Sequence, residues 1–273
     1  MKIYIITDME GVAGVLNFDY SWEDWAESNR IEEGRRLLTA EINAAVEGFF
    51  DAGATEVVVH DGHGWGGIHQ TSLDPRTQLV RMDGKGRYPT DEDNFDAIAW
   101  VGQHARSGAE FAHMAHTDWF NVLGISVNGV AVGEFGLMAM LGASLGMKPI
   151  FGSGDEAFTK EAAALTPGIE TVAVKRGLTP GTGDECTYEE YKDRNLSAVH
   201  LHPVVARKLI KEGAYKAVKR FIENKDSFSF PPMTPPFEIE CKFRSEEGNP
   251  PYEWTRSHPS SFAEAWRSMW KKA

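Results

Sequence analysis

Hydrophobic positions along this chain follow two alternating patterns. One is short runs of β-branched and aromatic residues; the other is longer stretches with apolar residues three and four apart. Ile3-Tyr4-Ile5-Ile6 is the first short run, Thr55 to His60 the second and Phe95 to Val101 the third. Lys148 to Phe151 and Thr171 to Lys175 repeat the pattern. Each reads as a strand. Over Arg30 to Asp51, Leu38, Ile42, Val46, Phe49 and Phe50 recur at helical spacing, and Gly53 is placed to stop that helix. Gly133-Glu134 opens an apolar helix expected to end near Gly146; an alanine-rich helix follows Asp155, and roughly His200 to Asn224 is helical with a basic face. Ile125 to Val132 reads as two short strands around Asn128-Gly129, a strong hairpin signal. Strands alternating with helices predict an α/β fold, a mostly parallel sheet with helices on both faces.

Other segments are less patterned. Val12 to Asn29 is a long connection carrying Phe18, Tyr20, Trp22 and Trp25, which fits a lid, a pocket wall or a subunit contact as well as simple packing. Ser72 to Asp93 is turn-rich, and Gly177 to Asp184 is a loop. Gly152-Ser153-Gly154-Asp155 leads into a helix. Pro231, Pro232, Pro235 and Pro236 mark a linker before a strand over Phe237 to Phe243, and a terminal amphipathic helix sets Phe262, Trp266 and Trp270 on one face. The aromatic loop and this face exceed what a monomer comfortably exposes, so an oligomer is expected. Residues 1–196 are expected to form the α/β catalytic domain, and 197–273 a smaller C-terminal α+β part packed on the same core.

Length and composition narrow the classes. A chain of 273 residues with 42% hydrophobic and 25% charged residues can bury a large globular core. Its 28 basic against 40 acidic residues give a net charge of −12, which argues against nucleic acid or an anionic membrane as partner. Cys186 and Cys241 lack disulfide or metal-motif spacing, which fits a reducing compartment. The N-terminus does not resemble a signal peptide, and the longest uncharged apolar run, Phe135 to Met147, is too short to span a bilayer. A soluble cytoplasmic protein is expected.

The candidate chemistry lies where the strands end. Asp8 and Glu10 follow the first strand two residues apart, so both carboxylates can point the same way to hold a divalent cation or share a proton. For this pair alone, a helix cap and a solvated acid explain the residues equally well. The second strand runs into His63, the third into His104, and Glu134 opens the apolar helix. In open α/β sheets ligands bind beyond the carboxyl ends of the strands, so groups far apart in sequence can converge there. Two imidazoles and three carboxylates suit zinc, with manganese or cobalt as substitutes, and a bridging Asp8 would suit two metals. Gly11-Val12-Ala13-Gly14 lacks the first glycine of the dinucleotide fingerprint, and no phosphate-loop Gly-Lys-Ser/Thr occurs. Ser107 and Ser153 lack a nucleophile elbow and read as loop residues.

These motifs together resemble the zinc-dependent D-aminopeptidases of the DppA type, binuclear metallopeptidases. The matching pieces are Asp8-Met9-Glu10-Gly11, Asp61-Gly62-His63, Gly102-Gln103-His104-Ala105-Arg106, Ala115-His116-Thr117 and Val132-Gly133-Glu134-Phe135-Gly136-Leu137. The resemblance implies that Asp8 bridges two zinc ions per subunit, that Glu10, His63, His104 and Glu134 complete the sites, and that His116 is the catalytic histidine. It further implies hydrolysis of short peptides or amides bearing an N-terminal D-residue, D-alanine especially, by pentameric rings stacked into decamers. His113 is expected to be structural or solvent-facing. Gly62 and Gln103 depart from the serine and tyrosine expected there, and the aromatic loop departs too, which puts substrate preference in question. Two other readings stand beside this one. A binuclear phosphoesterase needs cationic phosphate clamps, for which Arg106 is the nearby candidate; a metal-stabilised ligand-binding subunit would leave His116 idle.

Overall fold

In the computed structural model, residues 1–22, 30–81 and 93–269 are described; Trp25 and Trp270 lie outside them. The first half of the fold grows from β1 (Lys2–Thr7), α1 (Ile31–Ala52), β2 (Glu56–Asp61), β3 (Gln78–Val80) and β4 (Ala97–Gln103). A hairpin of β5 (Val122–Val127) and β6 (Val130–Val132) comes next, then α2 (Glu134–Ser144), β7 (Lys148–Asp155), α3 (Glu156–Leu165) and β8 (Glu170–Gly177). The chain closes with α4 (Tyr188–Arg194), β9 (Ala198–His200), α5 (Pro203–Glu223), β10 (Phe237–Phe243), β11 (Tyr252–His258) and α6 (Phe262–Ser268).

Seven strands form one sheet in the order β3-β2-β1-β4-β7-β8-β9, parallel throughout except for β9, which runs antiparallel to β8. Alternation along the central strands splits the interior into two cores. Ile3 and Ile5 of β1 and Ala97, Ala99 and Val101 of β4 face one core, which Leu38, Ile42 and Phe49 of α1 and Ile210 and Ala214 of α5 complete. Tyr4, Ile6, Ile98 and Trp100 face the other, with Phe135 and Met140 of α2, Phe158 of α3 and Phe262 and Trp266 of α6. Helices thus cover both faces, as the periodicity predicts.

A second, antiparallel sheet has the order β11-β10-β5-β6, so strands from the middle and the end of the chain pair in it. Its inner residues Val122, Ile125, Val127, Ile239 and Cys241 join the second core. The Asn128-Gly129 turn has φ of 50° and 79°, the double left-handed conformation of a tight hairpin. Gly53 caps α1 with φ 114°.

The structure departs from the sequence reading in several places. Strand β3 sits inside the turn-rich segment, and β9, β11 and α4 were not anticipated. The stretch Gly152 to Asp155 extends β7 beyond Phe151 and leads directly into α3. Trp266 is only 8% exposed, packed within its own chain, so at this residue the terminal helix leaves no apolar face for a neighbour. Both cysteines are free. Among the described residues, no helix is long and apolar enough to cross a membrane.

Candidate metal centre

From β1 the chain proceeds outward through β2 and β3, then returns to place β4 on the other side of β1. The strand order reverses at β1 and β4, and a crevice opens there at the carboxyl ends. Asp8 N donates to Val101 O at 3.0 Å, which holds the end of β1 against β4. Gly102, beside it, has φ +79°, and a Cβ at this position would stand 2.0 Å from Asp8 O. Only glycine lets the two strand ends approach this closely. Gly62 is similarly constrained, since a side chain there would begin 2.8 Å from Thr7 O.

The structure brings all six singled-out residues to one place. Asp8, Glu10, His63, His116 and Glu134 line a single cavity of about 310 Å3. His104 stands behind them, with Nε2 3.0 Å from Asp8 Oδ2 and 3.6 Å from Glu134 Oε1. His63 Nε2 lies 3.1 Å from Glu10 Oε1. Ligand atoms of Asp8, Glu10 and His104 fall within 4.8 Å of one another, and so do those of His104, His116 and Glu134. His63 belongs to neither trio, and His116, expected as the catalytic histidine, is close enough to Glu134 to share a cation with it.

Backbone and side-chain hydrogen bonds aim these groups. His104 Nδ1 donates to Ala105 O at 2.9 Å, which turns Nε2 toward the carboxylates. His116 Nδ1 donates to Met114 O at 2.8 Å, and its ring stacks on His104 with centroids 4.0 Å apart. Asp8 accepts from Met9 N at Oδ1 and from Gln103 Nε2 at Oδ2. Glu134 Oε1 accepts from Asp118 N, and Glu10 Oε1 accepts from the indole of Trp22 at 3.1 Å. Phe111, Met114 and Asp118 all adopt positive φ around His116, the kind of local strain found at functional sites. His113 is fully buried, and its N–H donates to Asp155 Oδ2 at 2.7 Å, so it is structural and not solvent-facing.

The electrostatics show why a cation suits this place. Burial, reinforced by Glu10, pushes Asp8 up to about 7. Burial would raise Glu10 as well, but His63 outweighs it and holds that carboxyl well below its usual range. Glu134 is likewise brought down to about 2 by His104 despite burial. His63 reaches about 8 because Glu10 overcomes the cost of burying its charge, and burial together with His104 takes His116 down to about 4. Glu10 Oε2 is buried with no hydrogen-bond partner. An orphaned buried carboxylate oxygen costs free energy that a divalent ion would offset. The donor set, carboxylate oxygens with imidazole nitrogens, fits zinc.

Three supporting residues take their roles from the tertiary structure: Trp22 and Asp155, which the sequence places in a possible pocket wall and before a helix, and Lys175, to which the sequence assigns no role. Trp22 was one of four aromatics in a loop; here it forms a wall of the cavity. Asp155 both caps α3 and holds the His113 backbone, and Lys175 is buried with Nζ 3.3 Å from Val15 O. A charged residue inside a β-rich run, as Lys175 is, was the available signal.

An open α/β sheet with buried carboxylates and imidazoles at its switch point is the arrangement of a metallohydrolase. The family model for Peptidase_M55, D-aminopeptidase, matches residues 1–249, and the chain belongs to this family of peptide hydrolases. It is 31% identical over 240 residues to the D-aminopeptidase of Bacillus subtilis (strain 168), covering 86% of this chain and 78% of that protein. Its fold is similar to that of the Zn-dependent D-aminopeptidase DppA from Bacillus subtilis, described as a self-compartmentalizing protease. That match has a TM-score of 0.77 at 24% identity and covers 98% of this chain and 95% of the other.

Proposed function

We propose that this chain is a zinc-dependent aminopeptidase that hydrolyses short peptides or amides with an N-terminal D-residue at a binuclear site. The observation that carries this reading is Glu10 Oε2, a buried carboxylate oxygen without a partner beside the Asp8–His104 pair at 3.0 Å. Asp8, Glu10, His63, His104 and Glu134 would hold the ions, with Asp8 shared between them; Mn2+ or Co2+ would be substitutes. What divalent zinc supplies in such a site is polarisation of a carbonyl oxygen and a lowered pKa for water.

The chain's own residues do the rest. The clustered carboxylates offer acceptors for the ammonium of a free amino terminus. Gln103 and Met9 N fix the two oxygens of Asp8, and Trp22 fixes Glu10, so the anionic wall is oriented before substrate arrives. His116 has committed its Nδ1 proton to Met114 O, so Nε2 is the nitrogen that exchanges a proton with the reacting amide. General acid–base help of this kind contributes about 10²–10⁴-fold. A phosphoesterase is the weaker reading, because among the described residues no lysine or arginine lines the cavity and Arg106 Nη1 donates to Ser107 O.

The same reading makes the protein a cytoplasmic homo-oligomer, pentameric rings paired into a decamer. Support comes from the edge strand β9 and the start of α5, where Val199, Val204 and Val205 are 53%, 56% and 46% exposed. Light scattering tests this; a monomer mass at working concentration overturns it. The activity is tested by hydrolysis of D-alanine amide against a phosphate monoester, with chelator and after zinc is restored. Amide turnover that chelator abolishes and zinc restores is expected. Chelator-insensitive turnover, or turnover of the phosphate ester alone, overturns the reading.

A further inference from the structure

The cavity beside the carboxylate–histidine cluster has two unlike kinds of wall. The polar wall is the cluster itself. Beyond the cluster the lining combines the polar side chains of Thr7, His60, Gln103, Thr117 and Asp118 with an apolar face built by Ile6 of β1, Ile125 of β5, Leu137 and Met138 of α2, and Trp266 of α6. These side chains come from elements far apart in sequence and from both sheets. Trp22 bridges the two walls. Its indole N–H donates to Glu10 Oε1 at 3.1 Å, while its ring lies 5.4 Å from His63 and edge-on to Trp119 at 4.9 Å. Gly62 and Gly64 also line the cavity and put no side chain into it.

Size and chemistry can be compared with what a substrate brings. The volume of about 310 Å3 is twice the ~150 Å3 of a buried apolar cavity that accepts a benzene ring. An N-terminal alanine contributes one methyl group, which leaves most of the apolar wall facing water. A larger apolar side chain would release that water and cover Ile125, Leu137, Met138 and Trp266. On its apolar side the cavity offers an acidic side chain no basic partner, since among the described residues no lysine or arginine lines it. His60, also in the lining, is pushed down to about 4 by burial and stays neutral.

We propose that this cavity is a specificity pocket for a bulky apolar side chain, aromatic or branched, next to the scissile bond, so that peptides or amides carrying such a residue are preferred to those with alanine alone. The inference rests on the aminopeptidase reading above. Trp22 and Met138 are the residues that set it, one at the rim beside Glu10 and the other half-buried on α2.

The test uses the full-length zinc-loaded protein and two substrate pairs. D-phenylalanine amide against D-alanine amide varies the residue before the scissile bond; D-alanyl-D-phenylalanine against D-alanyl-D-alanine varies the residue after it. At one of these positions the aromatic substrate is expected to have a kcat/KM higher by about 10-fold or more, the least that a well-fitted apolar contact contributes. Met138→Trp, which fills the pocket, is expected to lower that aromatic-to-alanine ratio at least about 5-fold, a change in ratio that loss of folded protein does not produce. Alanine preferred at both positions overturns the proposal, and so does a ratio unmoved in Met138→Trp. Absence of turnover on every D-substrate rejects the aminopeptidase reading instead. The pocket is then judged by calorimetric Kd for the two amides, where tighter binding of D-phenylalanine amide sustains it and equal or weaker binding overturns it.

Discussion

Replacing Gly102 by alanine tests whether the cluster depends on the close approach of β1 and β4. The backbone of Gly102 has φ +79°, which costs an L-residue about 1–2 kcal/mol. The new Cβ would also sit 2.0 Å from Asp8 O, 2.8 Å from Val12 Cγ2 and 3.0 Å from Leu38 Cδ1. A backbone oxygen cannot rotate away, so the strand ends must part by about 1 Å; overpacking of this kind costs about 1–3 kcal/mol. Together the two effects predict a loss of about 2–5 kcal/mol in unfolding free energy. The displaced group is Asp8, and a shift of about 1 Å at a reacting centre costs about 10²-fold in rate. Urea unfolding followed by circular dichroism gives the first number, and kcat/KM with zinc content by atomic emission gives the second. Gly124→Ala is the control, because nothing lies within 4 Å of the added carbon and the change should stay within about 0.5 kcal/mol. A Gly102→Ala protein with wild-type stability, zinc content and turnover would refute the account of how the site is held.

Three further outcomes are expected. Asp8→Ala should lose zinc from both positions and Glu10→Ala mainly from one; full occupancy in Asp8→Ala, measured by atomic emission, rejects the shared ligand. His116→Ala should keep its zinc and lose about 10²-fold or more in kcat, whereas His113→Ala should retain most activity per folded molecule but lower the urea midpoint, since its ring is fully buried. Stoichiometric zinc loss in His116→Ala would make it a ligand, as its place beside His104 and Glu134 allows. Glu41 is buried, accepts from Ala13 N, and is pushed up to about 8 by burial against the opposing pull of Lys175 and Arg207. Its folded pKa is raised, so its contribution to stability is full below pH 4.5 and is lost as pH rises toward 8. Glu41→Gln should therefore gain in urea midpoint relative to wild type between pH 5 and 8, and a gap that is constant or narrows the other way defeats this assignment.

Local rules made much of the fold legible. The alternation of Ile3-Tyr4-Ile5-Ile6 decides which side chains enter which core, because successive residues of a strand face opposite ways whatever lies around them. Gly53 and Asn128-Gly129 are readable for the same reason: the left-handed conformation they adopt is a property of the residues themselves. Asp8, Glu10, His63, His104 and Glu134 could be nominated because they stand at element ends, where a doubly covered sheet exposes its groups. Thr187 and Glu190 carry the spacing of a capping box, a local signal for the short helix α4 that they open.

Only the assembled structure decided the rest. β3, β9 and β11 carry mixed, largely exposed residues, so their strand character comes from the neighbours they pair with and leaves little period in the sequence. Gly152 to Gly154 are strand because they pair with β4 on one side and β8 on the other, and Gly154 must be glycine because a side chain there would meet Gln103 O at 1.9 Å. The stacking of His116 on His104, the indole of Trp22 on Glu10, and the apolar wall shared by Ile125, Met138 and Trp266 join residues 12 to more than 100 positions apart. Sequence determined which groups the site could contain, since residue chemistry and local backbone preference are properties of the chain itself. Distance, orientation and pKa belong to the tertiary structure, because they depend on burial and on partners that only packing brings within a few ångströms.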